Sequence, residues 1–333
     1  MYLLGIDIGG TKCAVVLAKC ALAQGIICDS IIDRIEFPTE ALKRGPDEIL
    51  EELALSVEKI YSRNYITEYD VAKIGISCGG PLDSKKGIIK SPPNLYGWDN
   101  VHIKEFFEKR FFVPTFLHND ANACAMAEYR FGAGKGYENI IFLTFGTGMG
   151  AGIILNGKLY TGRNDMAGEV GHIRLSENGP LGYGKYGSFE GYCSGGGISN
   201  MAESMLKEWV KEGKASSLEK KAKNKNITAK DVFEAMYKGD ELARKVATTS
   251  AKYLGKGLAV LADTLNPEII IIGSIFARNY EFYHPIVTEV VKKEALPHCS
   301  ERLVIAPSML GDKIGDYAAL GIIADGLEIS NDE

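Results

Sequence analysis

Leu3-Leu4-Gly5-Ile6-Asp7-Ile8-Gly9-Gly10-Thr11-Lys12 stands at the start of the sequence, and the apolar run Ala14-Val15-Val16-Leu17 follows it. About 140 residues later the pattern returns as Ile140-Ile141-Phe142-Leu143-Thr144-Phe145-Gly146-Thr147-Gly148-Met149-Gly150, followed by Ile153-Ile154-Leu155. Each stretch predicts a buried strand, a tight turn and a returning strand. Glycines let backbone amides approach an anion closely, and a threonine hydroxyl adds a donor. Two such turns facing each other would grip a polyphosphate from both sides. The alternative is a pair of ordinary Gly-rich hairpins. Repetition of the whole unit, with an acidic residue in the first turn, favours the phosphate reading.

The rest of the chain alternates strand and helix signals. Strands are predicted over Tyr2–Ile8, Cys13–Ala18, Gly25–Phe37, Val71–Ser77, Pro114–Leu117 and Pro267–Gly273, the last fully apolar. Asp47–Asn64 and Val101–Phe111 have the apolar spacing of helices. Asn119-Asp120-Ala121-Asn122-Ala123 opens an alanine-rich helix that runs through Phe131. Gly79-Gly80-Pro81 and Ser91-Pro92-Pro93-Asn94 read as loops, because glycine and proline interrupt regular structure. Residues 198–262 look mostly helical, with Glu212–Lys225 a solvated loop or surface helix. Gly311–Ala324 reads as a small-residue helix that packs closely, and Glu328–Glu333 as a frayed end. This mixture predicts α/β layers.

The 333 residues favour two domains over one. Hydrophobic residues make up 46% and charged residues 24%, an ordinary globular composition. A net charge of −5 argues against a nucleic-acid surface. No apolar run reaches the length of a membrane span, and no signal-peptide pattern precedes the first strand. Seven cysteines without regular spacing fit free thiols in a reducing cytoplasm. Cys13, Cys78 and Cys124 lie among apolar residues or glycine and read as small core residues. Two nucleotide motifs fail on context. Gly152–Lys158 has the glycine and lysine spacing of a P-loop, but Leu159 stands where a magnesium-binding hydroxyl is needed. Gly146–Ala151 mimics a dinucleotide fingerprint, yet strand-like residues follow where a helix should start.

Six motifs occur in a familiar order: Asp7-Ile-Gly-Gly-Thr-Lys12, Ser91-Pro-Pro-Asn94-Leu, Asn119-Asp120-Ala-Asn122-Ala, Phe145-Gly-Thr-Gly-Met-Gly150, Gly168-Glu-Val-Gly-His172 and Pro267-Glu-Ile-Ile-Ile-Ile-Gly273. The chain resembles the ROK family of bacterial sugar kinases (repressors, open reading frames, kinases) over nearly its whole length. The resemblance implies two ribonuclease-H-like (actin-like ATPase) domains closing over a central cleft where ATP and an aldohexose meet. The expected boundaries are 1–118 plus about 310–333 for one domain and 119–309 for the other. A homodimer is also implied, with no nucleic-acid or membrane partner.

One departure from the family stands out. Its zinc site uses the histidine of Gly-Glu-x-Gly-His and three cysteines of Cys-x-Cys-Gly-x-x-Gly-Cys-x-Glu. Here Leu181, Tyr183 and Ser188 hold the cysteine positions, while the glycines and Glu190 match. Structural zinc wants four nitrogen or sulfur ligands, so no zinc is expected. Packing of Tyr183, Tyr186 and Phe189 is expected to hold the loop instead.

Phosphoryl transfer to a sugar hydroxyl needs an aligned nucleophile, a proton acceptor and charge neutralisation. Asp120 is the candidate base, at a strand-to-helix junction, with a helix N-cap as its structural alternative. Asp7 is expected to position magnesium through water, and Gly9, Gly10, Thr11, Lys12, Thr147 and Gly148 to contact phosphates. Lys12 reads equally well as a solvated turn lysine. On the resemblance alone, Gly273, Ser274 and Gly311 line the adenosine pocket. The family places Asn94, Asn119, Glu169, His172 and Glu190 around the sugar, and these side chains supply the paired donors and acceptors that hydroxyls require. Gly79 and Gly80 let backbone approach the sugar or simply form a turn.

The leading expectation is therefore phosphorylation of a hexose, glucose first and N-acetylmannosamine or another aldohexose second. Repressors of the same family carry a winged-helix segment ahead of the glycine turn, whereas here the turn starts by Gly5 and the charge is acidic. A sugar-independent ATPase of the actin type would not need Asn119, Asp120, Glu169 and His172.

Overall fold

The computed structural model describes residues 2–22, 26–224 and 226–325. Gly25, Lys225 and the expected frayed end Glu328–Glu333 lie outside them. Ten strands form two five-stranded sheets. They are β1 (Tyr2–Ile8), β2 (Lys12–Leu22), β3 (Ile26–Pro38), β4 (Val71–Cys78), β5 (Thr115–Asn119), β6 (Ile140–Leu143), β7 (Ala151–Leu155), β8 (Lys158–Leu159), β9 (Ile269–Ile272) and β10 (Val304–Pro307). The first sheet has the order β3-β2-β1-β4-β5 and the second β8-β7-β6-β9-β10. Both are the same order, third, second, first, fourth, fifth. The repeat seen in the two glycine turns thus extends to the sheets that carry them.

By their contacts the residues form two compact units, 1–136 with 152–167 and 309–333, and 137–151 with 168–308. The first unit extends beyond the boundary expected after residue 118. The reason is α3 (Asp120–Phe131), which packs on the C-terminal helix Ile314–Asp325. A Cβ at Gly321 would stand 2.7 Å from the Ala127 amide, so the two backbones lie nearly in contact.

In the first unit β1 runs antiparallel to β2 and parallel to β4, and β4 runs parallel to β5. Leu4, Ile6 and Ile8 of β1 face a core built on α1 (Pro46–Asn64) and α2 (Ile103–Phe111), with Trp98, Phe107 and Val57 fully buried. Pro46 at the start of α1 and Asp47 and Glu48 in its first turn suit a helix N-terminus. On the other face Gly5 and Gly75 lie side by side in register. A Cβ at Gly75 would meet the Ala319 carbonyl oxygen at 2.0 Å, so only glycine admits the C-terminal helix this close to the sheet. The small-residue helix expected there packs as its composition requires.

In the second unit β6, β9 and β10 are parallel, and the four isoleucines of β9 are buried. Helices cover this sheet's unit, among them Glu241–Leu265 and Tyr280–Glu294, which touch where Gly255 meets Val290. The segment carrying the P-loop spacing is a hairpin. Asn156 and Gly157 make its turn with positive φ, and Lys158 enters β8, so it cradles no phosphate. Cys13 and Cys78 are buried and Cys124 half-buried, and burial pushes the thiol of Cys13 up to about 11.

Candidate active site

The first glycine turn is closed by the Gly9 amide donating to the Lys12 carbonyl at 3.0 Å. Thr39, fully buried, holds it from behind. Its amide donates to the Thr11 carbonyl at 2.9 Å and its hydroxyl to the Gly9 carbonyl at 2.6 Å. The carbonyls are thus tied inward, while Gly10 and Thr11 are exposed. A Cβ at Gly10 would meet that of Asn94 at 2.7 Å, so the Ser91–Asn94 loop lies against this turn. Lys12 is exposed and pairs with Glu36 at 2.7 Å.

Parallel pairing aligns the carboxyl ends of β1, β4 and β5, with Asp7 opposite Ser77 and Cys78 opposite Asn119. In open α/β sheets such ends are where ligands collect. Asp7, Gly79, Gly80, Asn119 and Asp120 therefore gather along one sheet edge, with Asn94 beyond the adjoining turn. Nothing lies within 4 Å of a Cβ at Gly79, so space is open there. Asp7 is half-buried and its pKa is raised to about 7 by desolvation, opposed by a hydrogen bond from Ser77 and reinforced by the charges of Asp120 and Asp316. The charge of Lys12 offsets this only in part.

Asn119, not Asp120, caps α3. Its side-chain oxygen accepts from the Asn122 amide at 2.8 Å. Asp120 follows as the first helical residue, and one of its oxygens accepts from the Ala121 amide at 2.8 Å. The residue is exposed as a whole, yet the surrounding protein desolvates its carboxylate and raises its pKa.

In the second unit the Thr144 hydroxyl receives the Gly150 amide at 2.9 Å, and the Gly146 amide donates to Gly148 at 3.2 Å. The N-terminus of α5 (Gly195–Lys211) meets this turn. Gly195 and Gly196 donate to the carbonyls of Gly146 and Thr147 at 2.7 and 3.3 Å. Glu190, on the short helix α4 (Phe189–Cys193), accepts from the Met149 amide at 3.0 Å. Thr147 is exposed, as a ligand-facing hydroxyl must be. Gly273 and Ser274 join β9 to the next helix beside the turn: the Gly273 amide donates to Leu143 and the Ile275 amide to Phe145, both at 3.0 Å. Gly311 belongs to the first unit, opens a 3-10 turn at φ +53°, and has open space at its Cβ position.

The ROK family matches residues 3–324. The chain is 33% identical over 317 residues to a glucokinase of Halalkalibacterium halodurans, covering 94% of this chain and 92% of that one. Among solved structures, a ROK glucokinase from Streptomyces griseus in complex with glucose and AMPPNP is 29% identical, with a TM-score of 0.73 over 96% of this chain and 98% of its own. A ROK hexokinase from Thermus thermophilus gives 27% identity and a TM-score of 0.77, over 97% of this chain and 98% of that one.

The chain belongs to the ROK family. Its two five-stranded sheets are the α/β, actin-like ATPase architecture of that family's kinases.

In this ROK protein other contacts hold the loop at the expected zinc positions. Glu169 occupies the N-cap position of the 3-10 turn Val170–His172, makes no side-chain capping bond there and is exposed. Around His172 the residues present do not fit zinc, since Leu181 has no donor atom, Tyr183 turns its ring edge-on to the imidazole and Ser188 is spent on capping α4. Among the described residues no group of three or more His, Cys, Asp or Glu is arranged for a metal ion. Aromatic packing orders the loop only in part. Phe189 is fully buried against Gly257, whereas Tyr186 is 61% exposed. Backbone pairing of Leu181–Gly182 with Lys185–Tyr186 does the rest, and Tyr183 and Gly184, both at positive φ, make the tip. Tyr183 sets its ring edge-on to His172 at 4.8 Å, and Lys185 donates to the His172 carbonyl at 2.8 Å.

Sequence reading missed Thr39 and Gly195-Gly196. A threonine after a strand carries no distinctive signal. Ser194-Gly195-Gly196-Gly197 does carry one, a helix N-cap followed by glycines where backbone must approach backbone.

Proposed function

We propose that this ROK protein is an ATP-dependent sugar kinase that phosphorylates a hexose hydroxyl, with glucose as its substrate and glucose 6-phosphate as its product. The observation that carries the reading is Asp120, a carboxylate of raised pKa at a sheet edge beside Gly79–Gly80 and relieved of capping by Asn119. Such a group accepts the hydroxyl proton as the sugar oxygen attacks the γ-phosphorus of ATP. The O–P bond forms, the bond to the β-phosphate oxygen breaks, and ADP leaves. Asn94, Asn119, Glu169, His172 and Glu190 bind the sugar hydroxyls, with backbone at Gly79 and Gly80 close to the ring. The turns at Gly9–Lys12 and Thr147–Gly148 bind phosphates, and Gly273, Ser274 and Gly311 border the adenosine. Magnesium, when bound, would neutralise phosphate charge, and Asp7 would hold it through water. The glucose and nucleotide specificity draws support from the relatives named above.

The family also supplies the homodimer and the cytoplasmic location in this proposal, and sedimentation tests the first. Among the described residues no helix is long and apolar enough to cross a membrane. ADP release over a sugar panel tests the reading. Glucose is expected to give the highest kcat/KM. N-acetylmannosamine in first place would change the substrate, and ADP release independent of any sugar would overturn the sugar-kinase reading.

A further inference from the structure

Glu190 stands between two pieces of machinery. Its Oε2 accepts the Met149 amide of the second glycine turn at 3.0 Å, while Oε1 takes no hydrogen bond from the described residues. The backbone below it has little slack. Phe189 is fully buried, and the Ser188 hydroxyl accepts from Gly191 at 3.1 Å while donating to the Gly182 carbonyl at 3.2 Å. On the turn side, a Cβ at Gly148 would stand 3.0 Å from Oε2. Gly171, next to His172, presses on the same spot: its Cβ would lie 2.4 Å from the Met149 carbonyl and 3.3 Å from the Glu190 Cβ. The segment that carries Glu190 then continues to Gly195 and Gly196, which hold the carbonyls of Gly146 and Thr147.

We propose that Glu190 couples hexose binding to the nucleotide turn, with Oε2 holding the Met149 amide and Oε1 taking a sugar hydroxyl. This rests on the hexose-kinase reading above. A carboxylate is a rigid planar group, so a hydroxyl that orients Oε1 also orients Oε2. A turn drawn toward a phosphate pulls on the same group from the other side. Each ligand therefore prefers the geometry the other imposes, and the coupling is reciprocal by linkage. The charge on the acceptor strengthens the tie to the amide. Glu190 acts here as a positioning residue for the turn as well as a sugar ligand.

Calorimetric titration with glucose and a non-hydrolysable ATP analogue tests this without turnover. In the wild type, saturating glucose is expected to lower the analogue's Kd by about fivefold or more, the range typical of coupled sites. In Glu190→Asp the carboxylate keeps its charge but is one methylene shorter and cannot span both partners. Each ligand should still bind, with the coupling reduced below about twofold. A purely structural tie would lower the melting temperature and leave the coupling intact. Gly148→Ala gives an independent arm if Glu190→Asp does not fold. Its new methyl displaces Oε2, so glucose affinity measured without nucleotide should fall several-fold. Wild-type coupling in Glu190→Asp, independent binding of the two ligands in the wild type, or unchanged glucose affinity in Gly148→Ala would each overturn the proposal. A wild type that binds no hexose overturns the hexose reading itself and takes this proposal with it, so the two failures are distinguishable.

Discussion

Asp120 has been relieved of a structural duty that its position would otherwise give it. Asparagine and aspartate both cap helices well, and here the preceding Asn119 does so. Asp120→Asn keeps the shape and the contact with Ala121 but removes the proton acceptor. Turnover should fall by at least ~10²-fold while hexose affinity holds. Turnover within threefold of wild type, in a steady-state assay, would show that the base lies elsewhere. Asp7 makes a different prediction, about stability. Its folded pKa, about 7, lies above the unfolded value of 3.8, so the protonated form favours the fold. That contribution is complete below the unfolded value and is lost as pH rises through about 7. Asparagine mimics the protonated carboxyl. Free of ligands and metal, Asp7→Asn should melt a few degrees above wild type at pH 8 and no higher at pH 4. Equal melting temperatures at pH 8 would mean that this carboxylate carries no burial cost. Neither point was legible in the sequence. Asp7 and Asp120 could be picked out by motif, but the protonation of both depends on burial, and that of Asp7 also on Ser77 and Asp316, which only folding brings together.

Elements with strong apolar patterns were readable in advance, and the loop between them was not. Ile269–Ile272 admits little but a buried strand, and α1 shows both its helical spacing and its Pro46 start. By contrast, the stretch from Gly179 to Glu190 offers only glycines and aromatics, which fit a loop, a hairpin or a metal knuckle. The fold makes it a hairpin because Tyr183 and Gly184 supply two consecutive positive-φ positions. The packing of α3 was not legible for a related reason. Nothing in the alanines of α3 says which sheet they will cover, and the glycine-to-backbone contact with the C-terminal helix decides it. The hairpin carries a test of its own. With Leu181, Tyr183 and Ser188 in place of thiolates, the purified protein should hold far less than one zinc per chain by elemental analysis. Chelation should leave its melting temperature unchanged, because an absent metal contributes no folding energy. Stoichiometric zinc together with lost activity on chelation would require ligands outside the residues considered for this loop.

At the scale of the whole molecule the same sheet order appears twice, and each copy ends its first strand in a glycine turn. The turns are built differently in detail. Thr39 ties back the carbonyls of the first, whereas Gly195 and Gly196 perform that task for the second. In both, carbonyls are occupied by the protein, which is what a phosphate-binding turn needs, since an anion is repelled by carbonyl oxygens and drawn by amides. Two turns with their carbonyls occupied would suit a ligand with several phosphates, and that gives a prediction that no single-turn mutation can make. Hydrogen exchange read by mass spectrometry, with a non-hydrolysable ATP analogue added, should slow at peptides covering Gly9–Lys12 and also at those covering Gly146–Gly150. Glucose alone should instead slow exchange around Ser91–Leu95 and Glu169–His172. Each segment belongs to one compact unit, so a response in both units from one small ligand cannot come from tightening a single unit. Protection by the nucleotide confined to one turn would leave the other as an ordinary hairpin, and the symmetry of the two sheets would then be a matter of ancestry without a shared job.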